Sequence, residues 1–354
     1  MDSGGSGEPL VDYFKSMPKV ELHAHLNGSL SENTVRKLIE LKKEKENISQ
    51  SYLNFSYSTS RNLFECFQLF NLIHGITDSP EAIYKATLDI IEDFYNDGVH
   101  YLELRTTPKE VKERMTQDIY VETVLKAIND ACTSSCKEMT VKLLLSIDRG
   151  RPFSFAEEML KIAQKHTILS PVVTGIDLSG NPMAGDVYKF IPLLEYAKKI
   201  GLRLAVHISE VPNEYNEVKQ LLRLKPDRLG HGTYLHPLKG GSQENYDLLH
   251  QLRIPLEICL TSNVISKTVP SYEEHHFRHF KSENYPCVLC TDDKGIFSTS
   301  LSNEYSLAYK YYGLTKDELF DLSFESINYT FSDDAEKQKL REIWKKRKNI
   351  NEVK

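Results

Sequence analysis

The strongest constraint on the fold is a rhythm: short β-like runs recur along the whole chain with amphipathic helical stretches between them. The runs are Lys19–His25, Val99–Arg105, Val141–Asp148, Val172–Leu178, Leu202–His207, Arg228–His231, Ile254–Leu260 and Pro286–Thr291. Pro80–Asn96, Ile119–Ser135, Phe155–His166, Met183–Ile200 and Ser242–Leu252 carry helical spacing between them. Eight strands alternating with helices predict an α/β fold, a parallel sheet closed into a (β/α)8 TIM barrel. A doubly wound open sheet is the structural alternative, but no G-x-G-x-x-G or Walker loop follows the first run. The 354 residues suffice for one such domain, since barrels often run past about 250 residues. The expected division is a flexible leader over 1–12 and a single barrel domain over 13–354.

Three regions break the rhythm. Residues 41–61 are polar, Lys- and Ser-rich and poorly periodic, and lead into Leu63–Ile73, whose apolar positions are helically spaced. An insertion after strand one lies over the barrel mouth, where it is a candidate lid or a plain surface loop. Residues 264–285, with His275 and His276, form a second long mouth loop, and those two histidines read as a solvated or packed face. Lys345–Lys348 reads as a basic helix end.

Composition excludes several classes of function. A net charge of −6 argues against general binding to nucleic acid or an anionic membrane. No window approaches the ~18 consecutive apolar residues of a membrane span, and Met1–Pro9 lacks a signal peptide's apolar core. The six cysteines are scattered through apolar stretches, as reduced thiols are. A cytosolic protein is expected, and a monomer, because no long apolar surface stripe stands out.

The chemistry gathers at strand ends. In Lys19–Leu26, Val20, Leu22, Ala24 and Leu26 alternate with Glu21, His23 and His25, so both imidazoles face one side of the strand. Alone, H-x-H is as readily two ordinary histidines. However, strand five ends in His207 with Glu210 three residues on, strand six in Gly230-His231-Gly232, and strand eight in Thr291-Asp292-Asp293. A (β/α)8 barrel brings all these ends to one face. Three imidazoles and a carboxylate suit Zn²⁺ with a position left for water. Glu210, on the loop beyond a ligand, is placed for general acid/base work. His231 can orient the water and accept its proton, or stabilise developing charge. Strand four, Thr174–Gly180, lacks the lysine that bridges two-metal sites, so one metal per chain is expected.

Together these motifs resemble the adenosine deaminase family of metal-dependent barrels, in the family's order from about residue 13 to 340. The resemblance implies zinc held by His23, His25, His207 and Asp292, with Glu210 protonating the purine ring nitrogen beside the reacting carbon. It implies His231 positioning hydroxide, and Asp293 and the Gly180 backbone holding the purine. Adenosine deaminases proper read H-x-H-x-Asp; here the position is Asn27. A carboxylate would repel a phosphate where a neutral amide can donate to it, so Asn27 favours a purine nucleoside 5′-monophosphate. Arg105, Thr106, Thr107, Pro108 and Lys109 supply candidate phosphate partners, with an ion pair to Glu103 or another barrel carboxylate as the other role for Arg105. H-A-H-L-N-G-S, L-E-L-R-T-T-P-K, S-I-D-R-G, D-L-S-G-N-P, S-E-V-P-N and C-T-D-D-K-G resemble the adenosine deaminase-like subgroup. That likeness implies N6-methyl-AMP as substrate, IMP and methylamine as products, and His74 and Asp148 as further contacts. Phe64, Phe67 and Phe70 are expected to form an apolar wall near C6. An adenosine deaminase acting on the nucleoside, and a barrel that only binds, are the competing readings.

Overall fold

A computed structural model describes residues 10–45 and 63–352. It contains eight strands: β1 Lys19–His25, β2 Val99–Thr106, β3 Thr140–Asp148, β4 Val173–Ser179, β5 Arg203–Ile208, β6 Arg228–His231, β7 Leu256–Ile258 and β8 Cys287–Leu289. They form one sheet in sequence order, every pair parallel. The ring closes through the segment after β8: Asp292 N–H donates to His23 O at 2.8 Å, and His25 N–H donates to Asp292 O at 3.1 Å. This is the (β/α)8 barrel that the alternation predicts.

The helices follow from capping and periodicity. Ser79 Oγ accepts from Ala82 N–H ahead of Pro80–Asn96, whose buried face is Ala82, Ile83, Ala86, Ile90, Ile91 and Phe94. Thr315 and Glu318 make a reciprocal capping box on Lys316–Ser326. Leu10–Ser16 is helical and buries Phe14, so Leu10–Asp12 belong to a helix and not to the leader; residues 1–9 lie outside the described residues. Most of the polar insertion, 46–62, also lies outside them. Lys345–Lys348 lie on the helix Asp334–Glu352, as read.

Two strands are shorter than expected. β7 stops at Ile258, because Leu260–Ile265 turns into a helix whose Thr261, Ser262 and Asn263 are buried. β8 begins after Pro286, which has no N–H to donate, and ends before Asp292, where φ is +61°.

The barrel floor is charged, not apolar. Glu103, Arg105, Asp177, Arg228 and Glu257 are all fully buried. Arg228 Nε donates to Glu257 Oε1 at 2.6 Å, Nη1 to Tyr329 O at 2.8 Å, and Nη2 to Glu103, with the guanidinium 3.6 Å above the Phe331 ring. Such groups persist only because each is paired. Arg228→Leu leaves Glu103 and Glu257 short of a cation, and is expected to cost about 3–5 kcal/mol, read as a lowered urea midpoint. An unchanged midpoint would mean the belt does not hold the barrel.

Candidate active site

β1 presents His23 and His25 on the same side, with Nε2 atoms 3.2 Å apart and ring centroids 5.1 Å apart. β5 brings His207, and the end of β6 brings His231, their ring centroids 4.6 and 5.1 Å from that of His23. Asp292 Oδ1 lies 3.4 Å from Nε2 of both His23 and His25. Ligand atoms of His23, His207, His231 and Asp292 all lie within 4.8 Å of one another. Histidines from four places in the chain thus meet at one end of the barrel.

Their far sides are anchored. His23 Nδ1–H donates to Glu257 Oε2 at 2.7 Å, and His207 Nδ1–H donates to Leu178 O at 3.0 Å with Asp177 Oδ1 at 3.2 Å. These two imidazoles therefore turn a bare Nε2 inward, the orientation a metal needs. Ser262 Oγ–H donates to Asp292 Oδ2 at 2.7 Å, leaving Oδ1 toward the histidines. Against the penalty of burial, the contact with His23 holds the Asp292 carboxyl well below its usual range. Imidazole nitrogens plus an ionised carboxylate suit a divalent cation such as Zn²⁺.

Above this cluster lies a cavity of about 570 Å³, within the range of small-molecule sites. Glu210 lines it, with Oε2 3.7 Å from His231 Nε2, and burial raises its carboxyl above the ordinary range. Asp293 lines it too, and burial followed by the charge of Asp292 raises its carboxyl well above normal. Its buried Oδ1 has no hydrogen-bond partner. Positive φ at Asp292 turns the chain, so both neighbouring carboxyls reach the cavity, which an extended strand would not allow. Gly28 makes room: a Cβ there would stand 1.5 Å from Asp293 Oδ1. Gly180, at φ +105°, lies so close that a Cβ would meet Asp148 Oδ1 at 2.3 Å.

Residues 18–346 match the family model described as adenosine deaminase. The chain belongs to the adenosine deaminase family. It is 47% identical to the N6-methyl-AMP deaminase of Homo sapiens over 337 residues, covering 94% of each chain. It is 39% identical to the N6-mAMP deaminase of Arabidopsis thaliana, over 94% of this chain and 98% of that one. Among solved structures it resembles an Arabidopsis N6-mAMP deaminase (40% identity, TM-score 0.85, 95% of this chain and 99% of that one). A solved ADAL–IMP complex is similar as well (40% identity, TM-score 0.86, 95% and 98%). Members of this family are metal-dependent, in keeping with the ligand cluster.

Within this adenosine deaminase barrel, the sequence-derived residues fall into two groups. His25, Asn27, His74, Thr106, Thr107, Asp148, Gly180, His207, Glu210, His231, Asp292 and Asp293 line the cavity, and Phe70 joins them. The side chains of Phe64 and Phe67 lie outside the described residues. Of the strand-two cations, Arg105 also touches the cavity but its guanidinium is held from below, and Lys109 lies outside the lining. Arg105 is fully buried beneath the cluster, its guanidinium bound to Asp177, Glu257 and Leu22 O, so the ion-pair role applies, with Asp177 and Glu257 in place of Glu103. Lys109 turns away, donating to His74 O at 2.6 Å and Thr77 Oγ1 at 3.0 Å. Pro108 is buried beside it, outside the lining.

Sequence reading missed Glu257, Ser262 and Asn263, and of its two alternatives for His275 and His276, a solvated or a packed face, the packed one applies. The available signal was Thr261-Ser262-Asn263, a polar triplet directly after an apolar run. His275 and His276 are 1% and 4% exposed and pack behind His231.

Two substitutions test this geometry. Gly28→Ala is expected to displace Asp293 and lower kcat/KM by about 10²-fold with metal content unchanged. Glu210→Gln is expected to keep the metal and lower kcat by ~10²–10⁴-fold. Metal loss in the latter, read by elemental analysis, would make Glu210 a ligand.

Proposed function

We propose that the protein is a zinc-dependent purine nucleotide aminohydrolase, converting N6-methyl-AMP and water to IMP and methylamine. The observation that carries this reading is the convergence of two protonated-leaning carboxyls, Glu210 and Asp293, on one cavity above a cluster of bare imidazole nitrogens. N6-methyl-AMP deaminase is the name of relatives such as that of Homo sapiens, and it is their chemistry that this pocket supports.

His23, His25, His207 and Asp292 would hold one zinc ion. When bound, such an ion lowers the pKa of water to about 7, making hydroxide available at neutral pH. Glu210 delivers a proton to the purine nitrogen beside C6, which makes that carbon more electrophilic. Asp293 keeps its proton and donates it in a hydrogen bond to the imidazole ring of the purine, while the Gly180 backbone N–H holds the pyrimidine edge. Oxygen bonds to C6, the C6–N6 bond breaks, and methylamine leaves with a proton taken from water.

The 5′-phosphate falls to neutral groups. Asn27 lines the cavity and offers its side-chain N–H₂ as the donor a phosphate needs, and Thr107 and His74 line the same cavity. Burial, then Lys109 and Arg151, lower His74 to about 4, so it meets the nucleotide as a neutral imidazole. Asn27 adds no like charge, so a phosphate is tolerated here where an aspartate would repel it. The working unit we infer is a single chain in the cytosol. Its six free cysteines support a reducing compartment.

Paired assays on N6-methyl-AMP and N6-methyladenosine test the reading, with turnover of the nucleotide and little of the nucleoside expected. Asn27→Asp is expected to lower kcat/KM for the nucleotide by at least about 10-fold, the effect of ~1.4 kcal/mol, and to shift preference toward the nucleoside. Preference for the nucleoside in the unaltered protein would make it an adenosine deaminase proper. Zinc-loaded protein inert on every N6-substituted purine would leave a binding protein.

A further inference from the structure

His231 differs from the other imidazoles of the cluster in what stands behind it. Asn263 Nδ2 lies 3.3 Å from His231 Nδ1, and Asn263 Oδ1 lies 3.1 Å from His275 Nε2. His275 Nδ1 accepts the backbone N–H of Phe277 at 3.0 Å. That last bond sets the direction of the whole chain. A backbone amide only donates, so His275 Nδ1 is bare and its proton is on Nε2. Nε2–H then donates to Asn263 Oδ1, which fixes the amide and turns Nδ2–H₂ toward His231.

A second contact fixes the same amide independently. Thr268 Oγ1–H donates to Asn263 O at 3.1 Å, leaving Oγ1 to accept from Asn263 Nδ2 at 3.2 Å. The Nδ2 group is therefore the donor at both of its contacts, and His231 Nδ1 is the acceptor. His276 completes the frame by donating Nε2–H to His231 O at 2.9 Å, holding a backbone at φ +61°.

We propose that Asn263 and His275 are positioning residues that lock His231 as the neutral Nε2–H tautomer, so that it donates a hydrogen bond to the attacking oxygen and takes no proton from it. This rests on the functional reading above. Three of the four imidazoles then divide by tautomer. His23 and His207 carry their protons on Nδ1, against Glu257 and Leu178 O, and offer bare Nε2 atoms to a metal. His231 carries its proton on Nε2, so it cannot ligate although it stands within the same cluster. The water's proton goes to Glu210, which has given its own to the ring nitrogen, and the second proton leaves with methylamine. The backbone N–H of Phe277, nineteen positions beyond the end of β7 at Ile258 and relayed through two side chains, decides which histidine binds metal and which steers oxygen.

The test is a long-range proton–nitrogen correlation spectrum of the zinc-loaded protein labelled in histidine with heavy nitrogen. His231 is expected with Nε2 protonated and Nδ1 bare; a protonated Nδ1 would overturn the proposal. Asn263→Asp places an acceptor opposite Nδ1 and is expected to swap the tautomer. It should lower kcat by about 10²–10³-fold, the loss on removing one donor to a developing oxyanion, with zinc content kept and KM little changed. His275→Leu combined with Thr268→Val removes both groups that fix the amide and is expected to give both tautomers with an intermediate kcat; it carries the test if the first variant does not fold. His275→Gln keeps a donor toward Asn263 Oδ1 and is expected to restore the single tautomer and most of kcat. A swapped tautomer with unchanged kcat, or an unswapped one in Asn263→Asp, would refute the proposal. A protein with the Nε2–H tautomer that turns over no purine would refute the functional reading and leave the assignment standing.

Discussion

The buried carboxylate of Glu257 is the contact on which the site depends. It meets Arg105 and Arg228 below and receives His23 Nδ1–H above. Arg105 continues to Asp177, which stands 3.2 Å from His207 Nδ1, and Arg228 continues to Glu103. Three carboxylates and two guanidiniums alternate in sign across β2, β4, β6 and β7. Each would cost several kcal/mol if buried alone. Together they form a floor with one negative charge in excess, directly beneath imidazoles that aim bare nitrogens at one point. The same interaction keeps the barrel filled, sets two tautomers and favours a cation above.

Most of this was legible in the sequence where a side chain's role follows from strand periodicity. His23-x-His25, His207, Gly230-His231-Gly232 and Asp292-Asp293 terminate strands, and a barrel gathers strand ends. The barrel itself followed from eight alternations. What escaped reading depends on long-range pairing. Glu257 lies in a three-residue strand, where alternation is too short to give a direction. Asn263 and His275 act through a backbone amide, which has no sequence signature. Arg105 was read as facing both ways, and only the registry of β2 against its neighbours placed it under the metal cluster. Asp292 and Asp293 could share a cavity because φ turns positive, a conformation rare for aspartate and invisible in an alternating pattern.

Substrate choice follows from which charges reach the cavity. The cations nearest the expected phosphate, Arg105 and Lys109, are both engaged elsewhere. On the proposed reading, nucleotide preference comes from the absence of a carboxylate at Asn27, beside Thr107 and His74 on the same cavity. The two carboxyls that line the cavity, Glu210 and Asp293, are both raised by burial, which suits groups that give hydrogen bonds and protons to ring nitrogens. A purine ring with an alkylated exocyclic nitrogen asks only for space near C6, and Phe70, on the helix Leu63–Ile76, lines that cavity.

The central claim is hydrolysis at C6 of a nucleotide, and it is tested most directly by following oxygen. The zinc-loaded protein is incubated with N6-methyl-AMP in heavy-oxygen water, and the purine product and the amine are measured by mass spectrometry. The account predicts IMP carrying one solvent oxygen for each methylamine released. Methylamine without labelled IMP, or demethylation to AMP with the exocyclic nitrogen retained, would contradict it.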